Sequence, residues 1–187
     1  MRLVGSHVIV LAMFDLIRAD LGHGRRVNHE GASRLSAALA PFFHAGTIAI
    51  LIHRFGAWCR RLVPGLRHLG WLFYYPAYGI IRVLTGIAIP TSADIGGGLV
   101  IHSWNGVFLP PCRIGRNAVF QHGVVVHPEC RGIGDDVLFG PGVKVVRPVR
   151  IGSRVQIAPN TVVLHDIPDD SYVAGIPGES TRQPNSE

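Results

Sequence analysis

Charged side chains are scarce in this sequence, only 16% of 187 residues, and mean hydropathy is +0.30. A disordered chain needs the opposite balance, so this one folds, with apolar side chains enough for one well-filled core or a small domain joined to a larger one. Cysteine is nearly absent: Cys59, Cys112 and Cys130 are odd in number and show no CxxC spacing. That argues against a disulfide framework and a structural zinc site, and it fits a reducing cytoplasm. Long apolar runs are missing too. Residues 8–14 are apolar but short, with His7 before them, Asp15 after them and no small-residue cleavage site. They read as a helix start rather than a signal peptide. Residues 71–81 are broken by Pro76 and Gly79 and closed by Arg82, short of the roughly 20 residues a spanning helix needs. They read as a packed helix, with contact to a membrane surface left open. The net charge of +6 includes a crowd of Arg54, Arg60, Arg61 and Arg67, yet no nucleic-acid motif accompanies it. A solvated helix face is the plainer reading, and nucleic acid is not an expected partner.

What is present falls into two periodicities. Residues 1–86 read as helical. Within 43–62, His44, Ile48, Leu51, Phe55, Trp58 and Leu62 step by four and three, an apolar stripe on one helix face. His44 on that stripe reads as a core or interface histidine. Gly22, Gly24, Gly31, Pro41, Pro64 and Gly65 mark turns between shorter helices.

From residue 87 the pattern changes. Ile89, Ile95, Ile101 and Val107 recur six apart, then Ile114, Phe120 and Val126, then Ile133, Phe139, Val145, Ile151, Ile157 and Val163. Only the steps 107–114 and 126–133 are seven. Small residues often follow: Gly96, Gly115, Gly134, Gly140, Gly152 and Ala158. A period of six suits neither a helix, with about 3.6 residues per turn, nor a hairpin strand. It suits short strands joined by sharp corners, three to a coil, with one side chain per repeat pointing to a shared axis. The expected domains are therefore α-helical over 1–86 and a parallel β-helix over 87–176, with a polar tail at 177–187 that is expected to fray.

Three stretches point further: LIRADL at 16–21, FFHAGTIAILIHRFGAW at 42–58, and the run 87–178 through FGPGVKVV, IGSRVQIAPNTVVLHDIPDD and VAGIPGE. They resemble hexapeptide-repeat acyltransferases, most nearly serine O-acetyltransferase-like proteins. The resemblance implies an N-terminal α-helical segment followed by a left-handed parallel β-helix, an exception to the right-handed crossover rule. It also implies acetyl-CoA as acyl donor, no metal, a small-molecule hydroxyl acceptor, and a homotrimer with active sites between neighbouring prisms. Serine acetyltransferases that dock into a sulfhydrylase end in isoleucine; this sequence ends in Glu187, so that complex is not expected.

Acyl transfer from a thioester to a hydroxyl needs a base beside the alcohol and donors for the oxyanion. Histidine is the natural base near neutral pH, and the repeats hold four: His102, His122, His127 and His165. His102, directly after the inward Ile101, matches the family's catalytic histidine, and the resemblance makes it the general base. His122 is a candidate for lining the acceptor cleft, whereas His165 beside Asp166 reads as ordinary surface. On the cofactor side, the resemblance implies that Gly140, Gly142 and Ala158 let the pantetheine arm lie against the backbone. Lys144 and Arg154 are the candidates for its phosphates. No P-loop or dinucleotide fingerprint occurs, and Gly96, Gly97 and Gly98 read as a coil corner.

Two departures from the serine enzymes stand out. Their aspartate fifteen residues before the catalytic histidine is here Ile87, and the nearest carboxylate in this stretch is Asp94. Their second substrate-binding histidine, three residues before an inward isoleucine, is here Cys130, on a loop cut down to HPECRG at 127–132. His127 and Arg131 are candidates for the same space, and Glu129 or Glu30 for the missing carboxylate. Three rival readings stay open: a saccharide or secondary-metabolite acceptor, a non-catalytic β-helix scaffold, and zinc-dependent hydration with His102, His122 and His127 as ligands.

Overall fold

The computed structural model describes residues 4–28, 44–102 and 106–182. Helices α1 (Val4–Asn28), α2 (Ala45–Cys59) and α3 (Pro64–Thr85) come first. Gly31 and Pro41 lie outside the described residues, but Gly22 and Gly24 do not break α1, contrary to the turns expected there. An isolated glycine costs a helix only about 1 kcal/mol. This stretch is also pinned from outside, because His23 Nδ1 pairs with the Gly98 carbonyl at 2.6 Å. Pro64 occupies the first turn of α3, where its missing N–H is no loss. The helix continues through Pro76 and ends at Gly86, whose left-handed φ of 65° lets its N–H reach the Arg82 carbonyl at 2.8 Å.

A buried ion pair fastens the helices to the rest. Arg54 grips Asp20 with two bonds, Nε to Oδ2 at 2.9 Å and Nη2 to Oδ1 at 3.1 Å. Its Nη1 and Nη2 also donate to the carbonyls of Ile95 and Gly96, each at 2.6 Å. Asp20 accepts the N–H groups of Gly98 and Leu99, each at 2.8 Å. The two charges are thus paired with each other and held by four backbone groups as well, the condition under which burying them is tolerable. Close by, Gly46 of α2 rests on β-helix backbone: a Cβ there would lie 1.9 Å from the Ile101 carbonyl oxygen.

The rest is a parallel β-helix of two- to four-residue strands on three faces. One face carries β1 (Asp94–Ile95), β3 (Arg113–Ile114), β6 (Gly132–Ile133) and β9 (Arg150–Ile151). The second carries β2 (Val100–His102), β4 (Val119–Gln121), β7 (Leu138–Phe139), β10 (Gln156–Ile157) and β12 (Ser171–Ala174). The third carries β5 (Val125–Val126), β8 (Lys144–Val145) and β11 (Val162–Val163). Register is kept from coil to coil, as in Ile95, Ile114, Ile133 and Ile151.

All thirteen residues of the six-residue series are at most 4% exposed. A second inward series sits two residues before many of them, including Ala93, Leu99, Ala118, Val124, Val137, Val143 and Val155, because side chains alternate along a strand. The seven-residue step before Ile133 shifts this rule, so that Cys130 is buried and Arg131 is exposed. The small residues after the series are required by the stacking of coils. A Cβ on Gly115 would lie 2.5 Å from Gly134 backbone, and one on Gly134 2.6 Å from Gly152 backbone.

The polar tail does not fray where it is described: β13 (Glu179–Arg182) folds back antiparallel to β12, pairing Tyr172 with Thr181. Backbone hydrogen bonds to an open sheet edge outweigh its polar composition. Among the described residues no helix is long and apolar enough to cross a membrane.

Candidate active site

The second face of the β-helix sets the geometry. In the ladder, His102 at the end of β2 stands opposite Gln121 at the end of β4. The next residues in the same column are Gly140, Ala158 and Ala174, one step beyond the paired Phe120, Phe139, Ile157 and Val173. Rungs are about 4.8 Å apart, so Ala158 lies about 14 Å below His102 along the edge. An exposed imidazole therefore heads a strip whose lower positions carry almost no side chain. Such a strip accommodates an extended, narrow molecule lying along the backbone.

The other expected residues distribute around the corners. His122 is exposed on the turn after β4, one coil below His102, and its carbonyl accepts the Gly142 N–H at 2.8 Å. Gly142 holds a left-handed φ of 74°, and a Cβ on it would lie 2.2 Å from Asn160 Oδ1, so the coil itself demands glycine there. Lys144 in β8 reaches back to the Gly123 carbonyl at 2.5 Å, which keeps its ammonium beside the His122 corner. Arg154 is at the opposite end of the second face, at a left-handed corner with φ 55°. Its guanidinium is engaged by Asp170 in two bonds, 2.6 and 2.8 Å, which hold the Asp170 carboxyl below its usual range.

His127 and Arg131 lie past β5, on the corner that leads to the first face. His127 lies beyond the turn at Gly123 and the two-residue strand β5, and its Nδ1 accepts the Glu129 N–H at 3.1 Å. Arg131 donates to the Pro148 carbonyl at 2.8 Å and to Asp166 at 2.5 Å. Neither joins His102 within one chain. Among the described residues no three histidine, cysteine or acidic side chains cluster as a metal would require, and His102, His122 and His127 do not converge.

Both departures from the serine pattern are buried. Ile87 is 1% exposed and stacks into the core above Val107, so no polar group replaces the aspartate at that position. Cys130 is 5% exposed and donates its thiol to the Val149 carbonyl at 3.4 Å, turned into the coil rather than toward a cleft. A hydrogen bond from Cys112 holds the Cys130 thiol below its usual range. Glu30, the other candidate carboxylate, lies outside the described residues, as do residues 103–105 after His102.

His44, expected as a core or interface histidine, is a half-buried neighbour of the site. It stands at the N-cap of α2, in extended conformation with φ −90° and ψ 122°. The face that α2 buries is not the predicted stripe but Ala45, Gly46, Ala49, Ile50, His53, Arg54, Gly56 and Cys59. Ile48 is left exposed, and Leu51, Phe55 and Trp58 are half-buried. With Asp20, Leu21 and Thr47, His44 lines a hollow against Val100 and Ile101, the residues leading to His102. The signal for the cap was its place at the start of the apolar stripe, where a cap rather than a helical position belongs.

The family described as bacterial transferase hexapeptide (six repeats) matches residues 132–165. The serine acetyltransferase of Staphylococcus xylosus is 38% identical over 115 residues, 56% of this chain and 52% of that protein. That of Mycobacterium tuberculosis is 29% identical over 178 residues, 89% of this chain and 72% of its own length. The chain thus spans about half the length of the staphylococcal relatives it matches, 52% or 53%. Among solved structures, serine acetyltransferase of Neisseria gonorrhoeae superposes with a TM-score of 0.74 at 23% identity, covering 94% of this chain and 68% of that one. A serine acetyltransferase in complex with CoA superposes with a TM-score of 0.73 at 18% identity, covering 95% and 73%. The fold is therefore that of serine acetyltransferases: helices, then a β-helix of hexapeptide repeats.

Proposed function

We propose that the chain is an acyltransferase that moves an acetyl group from acetyl-CoA to an acceptor hydroxyl, with His102 as general base. The observation that carries the reading is the ladder column in which an exposed His102 stands above Gly140 and Ala158. Acetyl-CoA, laid along that strip, presents its thioester carbonyl near the imidazole. His102 takes the hydroxyl proton as the oxygen attacks; the new C–O bond forms, the C–S bond breaks, and the imidazolium returns the proton to the departing CoA thiolate. Lys144, beside the same corner, is the candidate for a CoA phosphate, and Arg154 serves there only by leaving Asp170. Three copies side by side would place a neighbouring prism against the strip, bringing that neighbour's His127 and Arg131 toward His102. Light scattering tests the assembly.

The likeness to serine acetyltransferases makes serine the first acceptor to try. Ile87 and Cys130 are buried where the serine enzymes carry polar side chains, so these positions offer serine no contact, and a saccharide hydroxyl is the second acceptor to try. Thiol release from acetyl-CoA with serine, homoserine and a panel of sugars separates the two. His102→Ala is expected to lower kcat by about 10²–10⁴-fold with CoA binding retained. Thiol release no faster than the acceptor-free blank for every compound would sink the reading and leave the scaffold alternative.

A further inference from the structure

The seven-residue step before Ile133 brings two thiols together. In the second inward series the member before Ile114 is Cys112, and the displaced member before Ile133 is Cys130. Backbone hydrogen bonds fix their places in the ladder. The Asp94 N–H donates to the Cys112 carbonyl at 3.1 Å, and the Arg131 N–H donates to the Val149 carbonyl at 3.0 Å. By the offset that pairs Ile95 with Ile114 through the Gly96 N–H, these bonds set Ala93 over Cys112 and Cys130 over Val149. The four residues form one column, with the cysteines as its middle members on consecutive coils. Rungs lie about 4.8 Å apart and a disulfide joins Cα atoms about 4.4–6.8 Å apart, so the backbone already holds a bridging distance. Cys112 packs against the same core as Cys130, and its thiol donates to the Cys130 sulfur.

This column needs no sulfur, since Ala93 and Val149 fill its outer positions with hydrocarbon. Two free thiols give it a chemistry those neighbours lack. Cys112 is half-buried at the corner after the exposed Pro111, where a molecule the size of water can enter; Cys130 is deeper, 5% exposed. The hydrogen bond from Cys112 lowers the Cys130 thiol toward the thiolate, the form that reacts with peroxides, and raises Cys112 itself. The third thiol stands apart: Cys59 is fully buried on α2 against Gly70 of α3.

We infer that Cys112 and Cys130 are a redox site, a dithiol that hydrogen peroxide closes into a disulfide between two coils and that a thiol reductant reopens. The Cys130 thiolate attacks a peroxide oxygen; an S–O bond forms, the O–O bond breaks, and the hydroxide released takes up a proton to leave as water. The Cys112 sulfur then attacks the Cys130 sulfur; the S–S bond forms, the S–O bond breaks, and a second water carries off the Cys112 proton. The two sulfurs lose two electrons and the peroxide gains them. This stands apart from the acyl-transfer reading, and either can fail alone.

The test treats the reduced, folded chain with hydrogen peroxide and counts thiols after unfolding. A fall from three thiols to one is expected, with a mass loss of about 2 Da and a tryptic fragment joining Cys112 to Cys130. Dithiothreitol restores all three. The bond should form at least about tenfold faster in the folded chain than in urea, because the fold holds the sulfurs together. Cys112→Ala abolishes the crosslink and leaves a Cys130 sulfenic acid that dimedone traps. Should that variant misfold, the fragment map and the folded-to-unfolded rate ratio of the parent chain decide alone. Three thiols remaining after peroxide, a crosslink through Cys59 or between two chains, equal rates folded and unfolded, or a folded Cys112→Ala chain with no adduct on Cys130 overturns the inference.

Discussion

In the β-helix every inward side chain rests on its equivalents one coil above and one coil below. In the helical segment, contact depends on single residues that have no equivalent elsewhere. Phe120 lies on Phe139 with ring centroids 4.5 Å apart, and both are fully buried. Arg54, by contrast, is the one residue that ties Asp20, Ile95 and Gly96 together. Repetition lets a short local pattern specify long-range order, whereas a shell laid over it needs unique fasteners. Disturbing each region separately tests that contrast.

The largest effect is expected in the repeated core. Phe120→Ala removes a ring with no room to collapse and should lower stability by about 3–5 kcal/mol in urea unfolding. A loss below about 1 kcal/mol would break the contrast at its strong end. Arg54→Leu leaves Asp20 buried without its partner and should lose about 3 kcal/mol, much of it recovered when Asp20→Leu is added. A double variant no better than the single one would show that the pair acts through something other than uncompensated charge.

His53 supplies a pH-dependent contrast. It is 1% exposed, and burial, reinforced by the Arg54 charge, lowers its pKa from 6.5 to about 3. Between those values the unfolded chain binds a proton that the folded chain refuses. Stability is therefore full above pH 6.5 and declines as pH falls, by about 2 kcal/mol near pH 5. His53→Gln should flatten that slope; an unaltered slope would assign it to other groups. The smallest effects concern glycine. Gly142→Ala, at φ 74° and against Asn160, should cost about 1–2 kcal/mol. Gly22→Ala, in open space on α1, should add about 0.5–1 kcal/mol. Thermal melts of the two variants shifting the same way would contradict the assignment of these glycines.

The thirteen-residue series was legible because a coil repeats its demand for an inward apolar side chain every six residues. The second inward series went unread, since small and branched residues share it and the seven-residue steps displace it at Cys130. The turns assigned to Gly22 and Gly24 failed for a different reason. Their helix is held by Asp20 and His23 on partners more than 70 residues away, which no local propensity records.

For the candidate site, sequence spacing singled out His102, Gly140 and Ala158, and ladder register brought them into one column. The spacing says nothing about where a side chain's hydrogen bonds go. Only the folded chain assigns Arg154 to Asp170, Arg131 to Asp166, and Cys130 to the Val149 carbonyl. His44 became a neighbour of β2 only when α2 packed Gly46 onto Ile101.

By itself, the sequence determined the winding of its C-terminal half, because a period repeated through the chain needs no distant partner to be satisfied. Tertiary packing decided which polar groups are free and which are engaged. Those outcomes depend on contacts between segments far apart in the chain, and no local pattern encodes them.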